Sequence, residues 1–348
     1  MSKLRFPHPW CCMLFALTAF AVPAHAVVLG PPPPWNPVTF VSATGTDTGY
    51  CWQTSPCATF QYAASVTIPG GEIDALTPGD FGGGTPLVIG GSITIDGKGI
   101  GSITSNAAQV ITVNAIDAQV VLRGLSINGT PPYFGGTNAV EGINFSSIGN
   151  ANLVVENCVI AGFTNYGIAN VSANSSLVVR NTAIVGGAAG VYLNEGGGNT
   201  ILDHVSISGA STYGVEVLGS FGTLTMNDSS IVGGAYGVNV ASSAATGANT
   251  FNAVLERTTI SGATSAGIYS GVGFVSVDSS TLLNNAVAIQ APSGGIRISN
   301  NNFYLNATGI ECTTSAGYVE TEGNSRHSTS LGIITTGGCP APVPINHW

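Results

Sequence analysis

A Gly followed by Ile or Val recurs at Gly142-Ile143, Gly167-Ile168, Gly190-Val191, Gly214-Val215, Gly237-Val238, Gly267-Ile268, Gly309-Ile310 and Gly332-Ile333, with Ala288-Ile289 in the same place once. The residues flanking these marks are the ones whose types suggest chemistry. Just before the Gly stand Tyr166, Tyr213 and Tyr236; just after the Ile or Val stand Tyr192, Glu216, Asn239 and Tyr269. Aromatic faces plus amide groups at a regular rise suit an extended neutral glycan whose sugar faces stack while its hydroxyls take hydrogen bonds. The same two columns hold only three acidic residues, Glu141, Glu216 and Glu311, and no Lys or Arg. If successive marks are one strand spacing apart, these carboxylates lie about 14 and 19 Å from one another. A glycosidase pair needs about 5 to 9.5 Å, so that mechanism is disfavoured on this face.

A second column alternates in sign, Arg123, Glu156, Arg180, Asp203, and then turns acidic through Glu256 and Asp278. With the adjacent Asp228 it concentrates negative charge at one corner, relieved by Arg257. A solvated edge of ion pairs, each contributing about 0–1 kcal/mol, is the plain expectation. The sharper ones are a Ca²⁺ site built from Asp228, Glu256 and Asp278, or a displaced acid/base set of Asp203, His204, Asp228 and Glu256. Ca²⁺ is the one cofactor these residues suggest.

The elements that must position such columns follow from the repeat. The marks lie 21 to 25 residues apart, with one step of 30 before Gly267. Seven or eight residues before the Ile or Val of most marks sits an apolar anchor, Ile160, Ile184, Ile207, Ile231, Ile260, Leu282 or Phe303, preceded by a short β run such as Leu153-Val154-Val155. Three residues before each anchor comes Asn157, Asn181, His204, Asp228, Arg257, Ser279 or Asn300, a turn position where small polar residues tolerate left-handed backbone and where stacked Asn amides could form a ladder. Three short strands and three turns per period predict a single-stranded, all-β right-handed parallel β-helix of about ten coils. Composition agrees. Only 7% of the 348 residues are charged while 44% are hydrophobic and 48 are Gly, which excludes a helix-rich protein needing charged outer faces and a disordered chain.

Lys3 and Arg5, the apolar run from Cys11 to Val22 and Ala24-His25-Ala26 read as a secretory signal peptide. Its removal takes Lys3 and Arg5 from the 8 basic residues and none of the 17 acidic ones, so the net charge of −9 becomes −11. Nucleic acid is therefore a poor partner. No later segment offers the roughly 20 apolar residues of a membrane span. In an oxidising compartment Cys51 is expected to pair with Cys57 and Cys312 with Cys339, leaving Cys158 as a buried thiol. The expected organisation is a signal over 1–26, a proline-rich spacer over 27–37, a cap over 38–70, the β-helix over 71–338 and a tail over 339–348. Ser55-Pro56 reads as the start of a short capping helix whose apolar face is Phe60, Ala63 and Ala64. Long steps predict protruding loops around Gly129 to Asn138, with Tyr133 and Phe134 exposed, and around Ala241 to Thr250.

Residues 38 to 338 resemble the pectin-lyase-like superfamily of right-handed parallel β-helix proteins, through coils such as Leu153-Val154-Val155-Glu156-Asn157-Cys158-Val159-Ile160 followed by Tyr166-Gly167-Ile168, and through the opening stretch from Phe40 to Ile73. The resemblance implies the fold; its members include polysaccharide lyases, glycoside hydrolases, epimerases, adhesins and phage tailspikes, so it leaves the activity open. The polygalacturonase branch places carboxylates on the marker face, with Gly-His-Gly and Arg-Ile-Lys motifs. Here no His precedes a marker Gly, and Arg297-Ile298 is followed by Ser299. Asp203-His204 is similar to a lyase Asp-His pair, although His204 holds an ordinary turn position. The expectation is a secreted or periplasmic monomer that binds polysaccharide or a cell-surface glycan along its long sheet face without a standard catalytic set. The alternatives are a lyase or hydrolase with a non-standard acidic site, and a structural or adhesive surface protein.

Overall fold

The computed structural model describes residues 36–129, 140–194, 196–219, 221–241, 250–312, 319–327, 331–334 and 343–344. One period illustrates the coil. A first strand, Ser176–Arg180, ends at Asn181; a second, Ala183–Val185, carries the anchor Ile184; after Gly186 and Gly187 a third, Ala189–Leu193, carries the mark. Every strand pairs in parallel with its counterpart one coil away. The chain therefore winds as a parallel β-solenoid of about nine full turns, where the spacing suggested about ten.

The core is a set of aligned stacks. Ile111, Ile143, Ile168, Val191, Val215, Val238, Ile268, Ile289 and Ile310 lie in register on successive third strands and are all buried. The anchors, from Ile127 through Ile160, Ile184, Ile207, Ile231, Ile260 and Leu282 to Phe303, form a second buried stack. Stacking like on like removes both faces of each apolar side chain from water, at roughly 25 cal/mol per Å² buried.

The Gly of the mark has a steric cause. A Cβ on Gly167, Gly190, Gly214 or Gly237 would lie closer than 3.0 Å to the Cγ2 of the next coil's anchor, Ile184, Ile207, Ile231 and Ile260 respectively, and also to the carbonyl oxygen of the next marker Gly. In these four coils, where the next anchor is Ile, only a residue without a side chain fits where the second strand bends into the third; the mark between the anchors Leu282 and Phe303 carries Ala288 instead.

The turn positions adopt the expected left-handed backbone, with φ of 55° at Asn157, 45° at Asn181, 54° at His204, 46° at Asp228, 47° at Arg257, 50° at Ser279 and 54° at Asn300. The expected amide ladder is displaced by one residue. At the left-handed positions the coils are joined by backbone bonds, such as Asn181 N to Asp203 O at 3.1 Å. The side-chain ladder runs through the next, inward-facing column: Ser229 Oγ accepts from Val205 N, Ser280 Oγ from Thr258 N, Asn301 Oδ1 from Ser280 N and Asn324 Oδ1 from Asn301 N. Inward polar atoms there have no water to bond, so each satisfies the N–H of its neighbouring coil.

Helix α1, Phe60–Val66, does not begin at Ser55-Pro56. Its N-cap is Thr59, whose Oγ1 accepts from Tyr62 N at 3.1 Å. Asp47 holds that cap by accepting from Thr59 Oγ1 at 2.8 Å and from the N–H groups of Ala58 and Thr59. Ser55 and Pro56 cannot start the helix because Cys57 is bonded to the strand Asn36–Val41, its N–H to Phe40 O and its carbonyl to Ser42 N. The Cys51–Cys57 disulfide fixes that loop. Phe60 and Ala63 enter the core, Phe60 meeting Phe81 edge-on at 5.3 Å, while Ala64 packs only partly buried against it.

Cys158 is a free, buried thiol as expected. It occupies the ladder column and donates toward Glu156 O and Leu122 O. Cys312 is disulfide-bonded; its expected partner Cys339 lies outside the described residues, as do Tyr133, Phe134, most of both predicted loops and the whole signal segment. No helix among the described residues is long and apolar enough to cross a membrane.

Candidate functional site

The residues flanking the marks meet on the outer face of the third-strand sheet. In Tyr213–Val217, Val215 and Val217 are buried while Tyr213 and Glu216 are half-buried. Strict alternation would put residues three apart on opposite faces. The bend at Gly214, whose Cβ position faces inward beside the inward Val215, brings both side chains out together.

Five successive coils each contribute one tyrosine: Tyr166, Tyr192, Tyr213, Tyr236 and Tyr269. Their arrangement depends on small residues between them. Tyr166 is in register with Ala189, and Tyr192 with Ala169, so the two rings lean across the vacant corners and stack with centroids 4.2 Å apart and planes 7° apart. Tyr213 stacks on Tyr236 at 5.7 Å, and Tyr236, in register with Ala266, meets Tyr269 edge-on at 5.6 Å. The sequence displayed the tyrosines; the three alanines that let the rings pair were legible as alternation between the two columns, but their use required the register.

Glu216 sits at the middle coil, in register with Tyr192 on one side and Asn239 on the other. Burial pushes its carboxyl above the usual carboxylate range. The phenols of Tyr166, Tyr192 and Tyr213 are pushed up as well, by burial first and then by the neighbouring charge, which for Tyr192 and Tyr213 is foremost that of Glu216. Asn239 is almost fully buried beneath this surface. Toward the ends of the strip, Glu141 accepts from Asn144 Nδ2 at 2.7 Å and Glu311 from Gln290 Nε2 at 3.1 Å.

The acidic corner looks different at close range. Arg257 makes a two-point contact with Asp228 at 2.8 and 2.9 Å and reaches Glu256 at 3.2 Å. Asp278 accepts from Ser299, Ser279 and Asn300. Asp228 is held below its ordinary pKa by the Arg257 hydrogen bond, and Asp278 by the Ser299 one. Asp228, Glu256 and Asp278 are thus each engaged by neighbours rather than converging on a vacant centre. Asp203, His204 and Asp228 do bring ligand atoms within 4.8 Å of one another, with His204 Nδ1 2.9 Å from Asp203 Oδ1. A second such group, Glu72, Asp74 and Asp96, is filled by the Lys98 ammonium at 3.6, 2.9 and 2.9 Å. Arg123 joins that network at Asp96, Glu72 and Glu156. Burial alone would raise the Asp96 carboxyl, yet the bonds from Lys98 and Arg123 outweigh it and hold it low.

A family model described as a right-handed β-helix region matches residues 90–251. No curated protein sequence matches the chain significantly. Among solved structures the chain is similar to the pectate lyase Pel9A, with a TM-score of 0.59 and 14% identity over 82% of this chain and 79% of that one. It is also similar to the A-module of the Azotobacter vinelandii mannuronan C-5 epimerase AlgE4, with a TM-score of 0.57 and 15% identity over 83% and 93% of the two chains. The Streptococcus pneumoniae surface protein and adhesin PfbA gives a TM-score of 0.50 and 10% identity over 79% and 96%. Identities this low speak to the backbone and not to the chemistry on it. Coil architecture, buried stacks and these likenesses agree that the chain folds as a right-handed parallel β-helix.

Proposed function

We propose that this is a secreted, monomeric glycan-binding β-helix protein whose polysaccharide ligand lies along the third-strand sheet, parallel to the coil axis, and is held without being cleaved. The observation that carries this reading is the row of five tyrosines from five consecutive coils, about 19 Å long at one strand spacing per coil. Stacked and edge-on ring pairs present apolar faces and phenol groups together, the combination that sugar rings use. Two of the compared folds, a pectate lyase and a mannuronan epimerase, are named for polysaccharide substrates. Binding without cleavage is supported by the wide separation of Glu141, Glu216 and Glu311 and by the engagement of the acidic corner in its own hydrogen bonds.

The test is to incubate the purified mature chain with a panel of neutral, uronate and amino polysaccharides, measuring retention and the release of reducing or unsaturated ends. Retention without product supports the reading. Product release that vanishes in Asp228→Asn but persists in Tyr213→Ala would overturn it in favour of an enzyme at the acidic corner. Neither retention nor product with any polymer would leave the structural or adhesive alternative.

A further inference from the structure

A track for neutral sugar has no need of a carboxylate at its centre. Glu216 stands there nonetheless, in the third of the five tyrosine-bearing coils, flanked by Tyr192 across the strand pairing and by Tyr213 on its own strand. Partial burial disfavours its charged form, so its presence costs stability unless something in the bound state compensates. Among the described residues no cation forms an ion pair with Glu216: Lys98, Arg123, Arg257 and Arg297 are tied to carboxylates elsewhere, and Arg180 stands on a first strand in register with Glu156 and Asp203. Both columns flanking the marks lack Lys and Arg along their whole length.

The surroundings favour one kind of cation. A calcium ion wants six to eight oxygen ligands, whereas Glu216 has aromatic rings and a single amide column beside it. An ammonium group is satisfied by one carboxylate together with ring faces, whose negative quadrupoles attract it. Glu141 and Glu311 at the flanks add field of the same sign, which repels uronates and draws polycations.

We propose that the strip selects an amine-bearing glycan, a polymer of partly deacetylated amino sugars, with a sugar ammonium seated beside Glu216 between Tyr192 and Tyr213. This rests on the reading of the tyrosine face as a glycan platform. The probes are hexamers of glucosamine, N-acetylglucosamine and galacturonic acid, titrated calorimetrically into the full mature chain and into Glu216→Gln and Glu311→Gln, with circular dichroism as the folding control.

The glucosamine hexamer is expected to bind about tenfold more tightly than the N-acetylated one, a preference of the size one desolvated ion pair supplies. Glu216→Gln should remove that preference, and Glu311→Gln, at the far flank, should retain most of it. Equal affinity for the two hexamers, or a preference that survives in Glu216→Gln, overturns the amine assignment and leaves the glycan platform standing. Tightest binding of the galacturonate hexamer overturns the assignment in the same way. No binding of any hexamer or of the parent polymers overturns both.

Discussion

Glu216 is the residue at which stability and recognition oppose each other. Its folded-state pKa is raised by burial on the tyrosine face, where its charge in turn bears on the phenols of Tyr166, Tyr192 and Tyr213. A carboxyl raised in the folded state binds its proton more readily there than in the unfolded chain, so its contribution is fully favourable below the ordinary carboxylate pKa and is lost as pH rises through the folded value. Glu216→Gln is therefore expected to raise the melting temperature at neutral pH, by no more than about 2 °C once solvent screening is allowed for. The gain should vanish in acid, where wild type is itself protonated. Thermal melts of both proteins across pH 3 to 8, treated as an order-of-magnitude window, check the sign; a neutral-pH loss of stability would mean that Glu216 has a partner in the native state. Cys158 gives a second expectation at this scale. Burial pushes its thiol up to about 11, so native protein should resist alkylation at neutral pH and label only on unfolding, as mass spectrometry after timed iodoacetamide exposure would report.

At the scale of the coil, the contact between marker Gly and following anchor sets the spacing of second and third strands. Gly214→Ala places a methyl against Ile231 and the Gly237 carbonyl, and overpacking of this kind costs about 1–3 kcal/mol. Ile231→Val removes a different atom from the anchor and leaves Cγ2 in place, so it should relieve little; Ile231→Ala should relieve the clash while adding its own cavity cost. A double-mutant cycle by urea denaturation is expected to show a favourable coupling for Gly214→Ala with Ile231→Ala. Strict additivity of the two would remove the steric explanation of the mark. The left-handed corner is the other fixed point of the coil, and there the backbone geometry tolerates Asn, Asp, Ser, His and Arg alike because backbone bonds to the next coil, not side chains, hold it.

Across the whole molecule the solenoid turns a local periodicity into a linear ruler. Within the row each of five coils adds one tyrosine and one strand spacing, so affinity for a glycan should rise with oligomer length until the oligomer spans those coils, about 19 Å, and be flat beyond. Tyr213→Ala and Tyr236→Ala at the centre are each expected to weaken binding by about 0.5–1.5 kcal/mol, read by titration with oligomers of increasing length. Affinity that keeps rising past the length of the tyrosine row would place the contacts elsewhere on the solenoid. The N-terminal coils carry the opposite kind of surface, a dense network in which Lys98 and Arg123 bridge Glu72, Asp74, Asp96 and Glu156.

The repeat was legible in the sequence because a parallel β-helix writes each stack into the chain at a nearly fixed period: Ile143 through Ile310 predict one buried column, and Asn157 through Asn300 one left-handed corner, from spacing alone. The capping helix was legible in its apolar face but not in its start, since the competing claim on Cys57 comes from a strand distant in sequence. The inward ladder of Ser229, Ser280, Asn301 and Asn324 was displaced by one residue from the expected one because sequence does not reveal which side of a bend faces the core. The tyrosine columns could be read, yet their pairing could not: whether Tyr166 reaches Tyr192 depends on Ala189 and Ala169 lying in register across neighbouring coils. Likewise the acidic corner and Glu216 are both carboxylates in sequence. Sequence already put Arg257 near the corner and no cation in the columns of Glu216, but only the tertiary structure decided the contacts, because Arg257 and Ser299 reach the corner carboxylates from the next coil while rings stand in register beside Glu216.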